Sequence, residues 1–261
     1  MRMRVAALYD IHGNLPALEA VLEEVRHARV DHIVVGGDVL PGPMPRETLD
    51  RLLALDVPVQ FIHGNGELAV LAKMAAADPR DVTYLGTTSG GPLPEPLQEV
   101  LRWTGRQLDA ERHRVVVSWA ATCRLEIDGL GAALFCHATP RNETECFTRL
   151  TPEDRLVPIF DAARSSIVVC GHTHMQFDRM VGRTRVVNAG SVGMPFQEPG
   201  AYWLLLGPGV ELRCTSYDLE KAAARIRDTP YPQAEEFAGR SVLHPPSESQ
   251  MLDVFAKAEL K

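Results

Sequence analysis

Short apolar, β-branched runs punctuate the chain at Met3 to Tyr9, His32 to Val35, Val57 to Ile62, Val115 to Trp119, Ala132 to Cys136, Ile167 to Cys170, Thr184 to Val187 and Tyr202 to Leu206. Each is bounded by polar residues, Gly or Pro and reads as a strand. Between the first two, "NLPALEAVLEEVRHA" places Leu15, Leu18, Val21, Leu22 and Val25 at helical spacing, with Asn14 as the cap and Pro16 in the first turn. A second helix is predicted over Pro45 to Leu55. Strand, helix, strand, helix, strand in this order implies right-handed crossovers and a parallel sheet core.

From Asp78 to Arg112 the periodicity loosens into a Gly/Pro-rich stretch followed by one amphipathic helix near Pro96 to Leu108, the pattern of a cap inserted between strands. The main domain is expected over residues 1–229. The tail, 230–261, is broken by Pro230, Pro232, Pro245 and Pro246 and is expected to be largely irregular except for a last helix, Ser249 to Ala258. There is no internal repeat and no low-complexity tract.

Polar clusters follow the apolar runs, each where a strand should end: "DIHGN" with Asp10 and His12, "GGDVLPG" with Asp38, "HGNGE" with Asn65, "CHATPR" with His137, and "GHTH" with His172 and His174. Singly, each admits a purely structural reading: Asp38 as a turn residue, Asn65 as a left-handed residue, a lone His as a satisfied buried one. Together they accumulate where α/β sheets place their ligand crevice, outside the carboxyl ends of strands. Asp10 with His12 and His172 with His174 are spaced to project from one side of extended chain. The set offers only O and N donors and no thiolate, too many for one tetrahedral ion, which suits two divalent ions such as Mn, Fe, Zn or Ni.

Composition narrows the partners. A formal net charge of −7 argues against long nucleic acid, whose binding needs clustered Lys and Arg. A small phosphorylated substrate remains compatible, because bound cations make a local pocket positive. No stretch approaches the roughly 20 apolar residues that span a bilayer, and the first apolar run stops at Asp10 without a cleavage site, so neither a membrane nor export is expected. The scattered cysteines, Cys123, Cys136, Cys146, Cys170 and Cys214, read as reduced core thiols of a cytoplasmic protein. Oligomeric state is not legible.

Asp-x-His, Gly-Asp, Gly-Asn, an isolated His and Gly-His-Thr-His, in this order, resemble the calcineurin-like metallophosphoesterase superfamily, particularly its small bacterial phosphodiesterase-like branch. The stretch "VNAGSVG", Val187 to Gly193, resembles that branch too, so the likeness covers about three quarters of the chain. It implies a four-layer αββα sandwich, two mixed β-sheets flanked by helices. It further implies that Asp10, His12, Asp38 and His174 hold one metal and Asp38, Asn65, His137 and His172 the other, with Asp38 bridging. In that family reading two ions about 3.5–4 Å apart activate a bridging water toward hydroxide for in-line attack on phosphorus.

The chain departs from the family at Gly66, where many members carry a His beside the leaving-group oxygen. His63 is the available replacement acid, or else a strand histidine. Arg141 is a candidate to grip a phosphoryl oxygen, with a solvated loop arginine as its alternative. Asn14 either contacts substrate or only caps the first helix. Glu67 reads as a helix-start residue, and the Asn188 to Ser191 turn as a buttress for the metal loops. The expected activity is hydrolysis of a small phosphodiester or phosphomonoester, nucleotides included. The alternative is a metallophosphoesterase-fold scaffold for protein binding, as in the retromer subunit, which also lacks the His after Asn; retention of all seven ligands favours the enzyme. Protein phosphatase activity is disfavoured by His63 and Gly66, and an amidohydrolase by Asp10-Ile11-His12 in place of His-x-His.

Overall fold

The computed structural model describes residues 3–75 and 93–260. Two mixed, five-stranded sheets carry the fold. The first is built from β1 (Val5–Leu8), β2 (His32–Val35), β3 (Val59–Phe61), β9 (Ala201–Leu206) and β10 (Val210–Thr215), in the order β10-β9-β1-β2-β3. The second contains β4 (Thr122–Ile127), β5 (Gly131–Cys136), β6 (Ile167–Cys170), β7 (Phe177–Val181) and β8 (Thr184–Asn188), in the order β4-β5-β6-β8-β7. β1, β2 and β3 run parallel, as do β5, β6 and β8; the pairings β1–β9, β9–β10, β4–β5 and β7–β8 are antiparallel.

Period-two alternation sorts each central strand into two cores. Val5, Ala7 and Tyr9 pack between the sheets with Phe135, Val169, Val187 and Leu204, while Ala6 and Leu8 face helices. Both faces of β1 are therefore covered, which is why its sequence is apolar throughout. The Tyr9 hydroxyl donates to the Val169 carbonyl at 3.1 Å and pins one sheet to the other. Outside the first sheet lie α1 (Leu15–Ala28), α2 (Pro45–Leu53), α3 (Asn65–Ala75), α4 (Glu95–Gln107), α5 (Ala110–Val117) and α7 (Leu219–Arg227); outside the second lies α6 (Glu153–Asp161).

Several expectations need correction. Val115 to Trp119 is not a strand. Asp109 caps α5 by accepting from the Arg112 amide at 2.9 Å, and of the three consecutive valines only Val116 is buried, so capping and one-sided burial override β-propensity. Of the expected cap, residues 78–92 lie outside the described residues. The remainder forms α4 and the start of α5, with Leu93, Val100, Leu101 and Leu108 in the large core on the helix side of the first sheet. The expected last helix is present as α9 (Glu248–Ala258), but the tail is also helical where its prolines predict irregular chain, with α8 (Ala234–Phe237) and a wider π turn (Ala238–Leu243), and Phe237, Val242, Leu252 and Phe255 are buried. Cys214 is exposed, whereas the other four cysteines are buried free thiols. No helix among the described residues is long and apolar enough to cross a membrane.

Candidate metal centre

The parallel strands deliver the polar residues to one place. Asp10 and His12 follow β1, Asp38 follows β2, Asn65 opens α3 after β3, His137 follows β5, and His172 and His174 follow β6. Each of the seven side chains is buried. Asp10, His12, Asp38, His172 and His174 have φ of 53°, 47°, 51°, 67° and 57°, the left-handed region that non-glycine residues seldom enter. Such strain persists where surrounding bonds over-determine it. Here they do: the His12 amide donates to the Asp38 carbonyl at 2.8 Å, the Asp10 amide to Gly37 at 3.1 Å, and the His172 amide to Oδ2 of Asp10 at 2.9 Å.

The four imidazoles follow one rule. His12 Nδ1 faces the Pro41 carbonyl at 3.3 Å, His174 Nδ1 that of Met194 at 2.6 Å, His137 Nδ1 that of Gly36 at 3.0 Å, and His172 Nε2 that of Thr144 at 3.2 Å. A carbonyl only accepts, so each of these nitrogens carries the proton and the other ring nitrogen is left with a lone pair. Those lone pairs face each other: His12 Nε2 and His174 Nε2 are 3.3 Å apart, and His137 Nε2 and His172 Nδ1 are 3.2 Å apart. Burial, reinforced by the neighbouring imidazoles, pushes His12 and His172 down to about 3. Those two rings are thus neutral and in ligand form.

Between the two pairs sit the carboxylates. Asp38 reaches both, with Oδ2 at 3.7 Å from His12 Nε2 and Oδ1 at 3.6 Å from His137 Nε2. Asp10 Oδ1 lies 3.3 Å from His174 and 3.8 Å from His137. Asp10 Oδ1 and Asp38 Oδ2 are buried without a hydrogen-bond partner. Burial pushes Asp38 upward, aided by the charges of Glu67 and Asp10; burial also opposes ionisation of Asp10, but His174 and then His137 and His12 outweigh it and hold that carboxyl below its usual range. Among the described residues no Lys or Arg pairs with either one. Facing lone pairs and orphaned carboxylate oxygens are the donor set of divalent cations with borderline or hard character, so the residues fit a metal centre.

A model of the calcineurin-like phosphoesterase superfamily domain matches residues 3–206. The chain belongs to that superfamily. Among its relatives is an uncharacterized protein of Methanocaldococcus jannaschii, 23% identical over 246 residues, spanning 87% of this chain and 93% of the relative. Solved structures agree in fold. A hypothetical protein from Pyrococcus horikoshii OT3 has a TM-score of 0.73 at 22% identity, covering 94% of this chain and all (100%) of its own. A metallophosphoesterase from Sphaerobacter thermophilus has a TM-score of 0.66 at 24% identity, covering 91% of this chain and 99% of its own.

The structure brings Asp10, His12, Asp38, Asn65, His137, His172 and His174 to one place: Asn65 Oδ1 lies 2.9 Å from His137 Nε2, which joins it to the second pair. The other candidates behave differently. His63 is tied by its amide to the Ala120 carbonyl at 2.9 Å, its Nδ1 is buried without a partner, and no hydrogen bond or ion pair among the described residues links its ring to the seven. Arg141 lies at the rim of a small cleft that also touches His137, and Glu145 holds it there through Nε at 3.1 Å and a second, closer contact. Asn14 is a buried cap: its Oδ1 accepts from Ala17 at 3.2 Å and its amide donates to the Gly193 carbonyl at 2.9 Å, so it is spent on structure.

Gly66 is empty for a steric reason. A Cβ there would lie 2.1 Å from the Leu40 carbonyl oxygen, while its amide donates to Asp38 Oδ1 at 2.6 Å. The loop after Asp38 occupies the space that a side chain at position 66 would need. Glu67 is the residue whose role the sequence reading missed. Its carboxylate accepts from the amides of Gly64 at 2.7 Å, Leu40 at 2.8 Å and Asp38 at 2.9 Å, and so joins two ligand loops. The clue was present, since a Glu three residues past a helix cap commonly reaches back to the cap amide. The "NAGS" turn does buttress: Ser191 Oγ donates to the Asp10 carbonyl at 2.7 Å and Asn188 Nδ2 to that of Gly171 at 2.6 Å.

Proposed function

We propose that the protein is a dinuclear, metal-dependent phosphoesterase that hydrolyses a small phosphodiester or phosphomonoester. The observation that carries this reading is the two facing histidine pairs with Asp38 between them, at 3.3 and 3.2 Å within the pairs. Asp10, His12, Asp38 and His174 would hold one ion, and Asp38, Asn65, His137 and His172 the other, with Mn, Fe, Zn and Ni all chemically suited. When bound, such a pair supplies Lewis-acid polarisation of phosphoryl oxygens and acidifies a water into a nucleophile.

The chain's own residues do the rest. Backbone carbonyls at Gly36, Pro41, Thr144 and Met194 fix the four ring orientations. Arg141, held by Glu145, would meet a phosphoryl oxygen with its remaining guanidinium N–H groups. With Gly66 in the acid position and the His63 ring joined to none of the seven by a hydrogen bond or ion pair, no side chain among the described residues is assigned to protonate the leaving group. General acids contribute about 10² to 10⁴ in rate, so esters with weakly basic leaving groups are favoured.

The test is hydrolysis of bis-p-nitrophenyl phosphate by metal-stripped protein with Mn, Ni, Fe, Zn or Mg returned one at a time, beside Asn65→Ala. Turnover that appears with metal and disappears in Asn65→Ala is expected. Failure of every ion to restore turnover would move the protein to the scaffold reading.

A further inference from the structure

A second feature adjoins the metal centre. A cleft of about 270 Å³ opens beside His12, walled by α4, the loop after β8 and the tail. His12 is one of its walls, so whatever fills the cleft lies against the phosphate site. Leu97, Phe196, Tyr231 and Phe237 give it apolar and aromatic walls, and Gln233, Glu236 and Arg240 also line it.

We propose that this cleft holds the organic arm of the ester and selects a planar, nucleobase-like ring; the proposal rests on the phosphoesterase reading above. The aromatic walls are fixed by their neighbours. Phe196 stacks on the His174 ring at 4.7 Å and 18°, and Tyr231 stands edge-on to Trp103 at 5.4 Å and to Phe237 at 6.1 Å. Rigid aromatic walls pair best with another flat ring, by offset stacking or edge contact. Ligand pockets begin at about 300 Å³, so this cleft suits a ring with a sugar attached and not a peptide segment. Apolar walls would leave the oxygens of a bare polyphosphate unsatisfied. The Gln233 amide supplies both a donor and an acceptor for the polar edge of a base, while Arg240 and Glu236, which also line the cleft, form an ion pair with each other at 3.7 Å. The substrate class is therefore a nucleotide ester.

Two esters that differ only in the retained arm test this: thymidine 5′-p-nitrophenyl phosphate and methyl p-nitrophenyl phosphate. In each, water adds to phosphorus and p-nitrophenolate leaves, so the bond broken is the same. With the Mn-loaded full chain, kcat/KM is expected to be higher for the thymidine ester by about tenfold or more, equivalent to about 1.4 kcal/mol. Gln233→Trp and Leu97→Trp, which fill the cleft from separate elements, should bring the ratio toward parity. Equal kcat/KM for the two esters in the parent protein, or an unchanged ratio in both filled variants with native melting temperature, would overturn the assignment. If neither ester is turned over, the phosphoesterase reading fails by itself, and calorimetry decides about the cleft. About tenfold tighter binding of thymidine 5′-phosphate than of methyl phosphate supports the ring site, and equal affinity removes it.

Discussion

The carboxylate of Glu67 accepts the backbone amide of Asp38 at 2.9 Å while the same oxygen accepts that of Gly64 at 2.7 Å, so one buried side chain sets the distance between the Asp38 loop and the loop that presents Asn65. Its other oxygen takes the Leu40 amide at 2.8 Å. Burial pushes this carboxyl up to about 7, against the pull of the amides.

Glu67→Gln replaces one of the two acceptor oxygens by an NH₂ group that cannot accept. At least one amide loses its partner, and a hydrogen bond to a charged group contributes about 1.5–3 kcal/mol. The variant should lose stability of that order in urea unfolding. Through the displaced ligand loops it should also bind Mn about 10- to 100-fold more weakly, as loss of an outer partner of a ligand commonly does. A variant with unchanged metal affinity would reduce Glu67 to a helix-start residue.

Position 66 makes an opposite expectation testable. A histidine there would restore the residue type many superfamily members carry, yet any Cβ would lie 2.1 Å from the Leu40 carbonyl and 2.8 Å from Asp38 Oδ1. Gly66→Ala and Gly66→His should both be destabilised by about 1–3 kcal/mol, the range for overpacking, and neither should gain activity on an aryl phosphodiester. Thermal melting with parallel kinetics reads this directly, and a faster Gly66→His enzyme would show that the loop after Asp38 gives way.

Much of the fold was visible in the apolar runs, and the exceptions have a common cause. The central strands β1, β6 and β9 are buried at every residue and spell continuous hydrophobic segments, and β2, β5 and β8 are buried over most of their length. The strands that the runs do not reveal, β4, β7 and β10, are all edge strands. Their burial alternates or nearly vanishes, and their sequences TCRLEI, FDRMV and VELRCT carry the charges that edges favour. The candidate ligands were legible because chemistry restricts them to Asp, His and Asn at strand ends. What was not legible is what holds them: the carbonyls that fix each ring and the close approach at Gly66 depend on chain distant in sequence.

Arg141 tests the grip on phosphate apart from the metal centre. Its Glu145 partner is 8% exposed while Arg141 itself is 51% exposed, so the acid anchors the guanidinium and leaves part of it open to solvent. Arg141→Ala should lower kcat/KM by about 10- to 100-fold, the worth of a charge-assisted contact of 1.5–3 kcal/mol, with Mn content unchanged. Arg141→Lys should recover only part of this, since an ammonium lacks the planar fork. Equal kinetics for Arg141→Ala and the parent would return Arg141 to a loop role.

Metal linkage provides the last prediction. Without cations, the fold must hold Asp10 and Asp38 buried beside each other with no Lys or Arg partner among the described residues, and must keep two pairs of lone pairs face to face at 3.3 and 3.2 Å. Each of those contacts opposes folding, and each becomes favourable once a cation lies between the donors. A ligand that binds only the folded state stabilises it by about 2.7 kcal/mol at 100 times its Kd. Chelator-treated protein should therefore melt at lower temperature than protein with Mn, and the melting temperature should climb with Mn concentration. Asp38→Asn, which removes charge from a side chain that lies near both histidine pairs, should flatten that climb while raising the melting temperature of the metal-free chain, because it relieves repulsion with Asp10 and Glu67. A metal-free chain as stable as the Mn-loaded one would mean that the seven residues are held by the fold for some purpose other than binding ions.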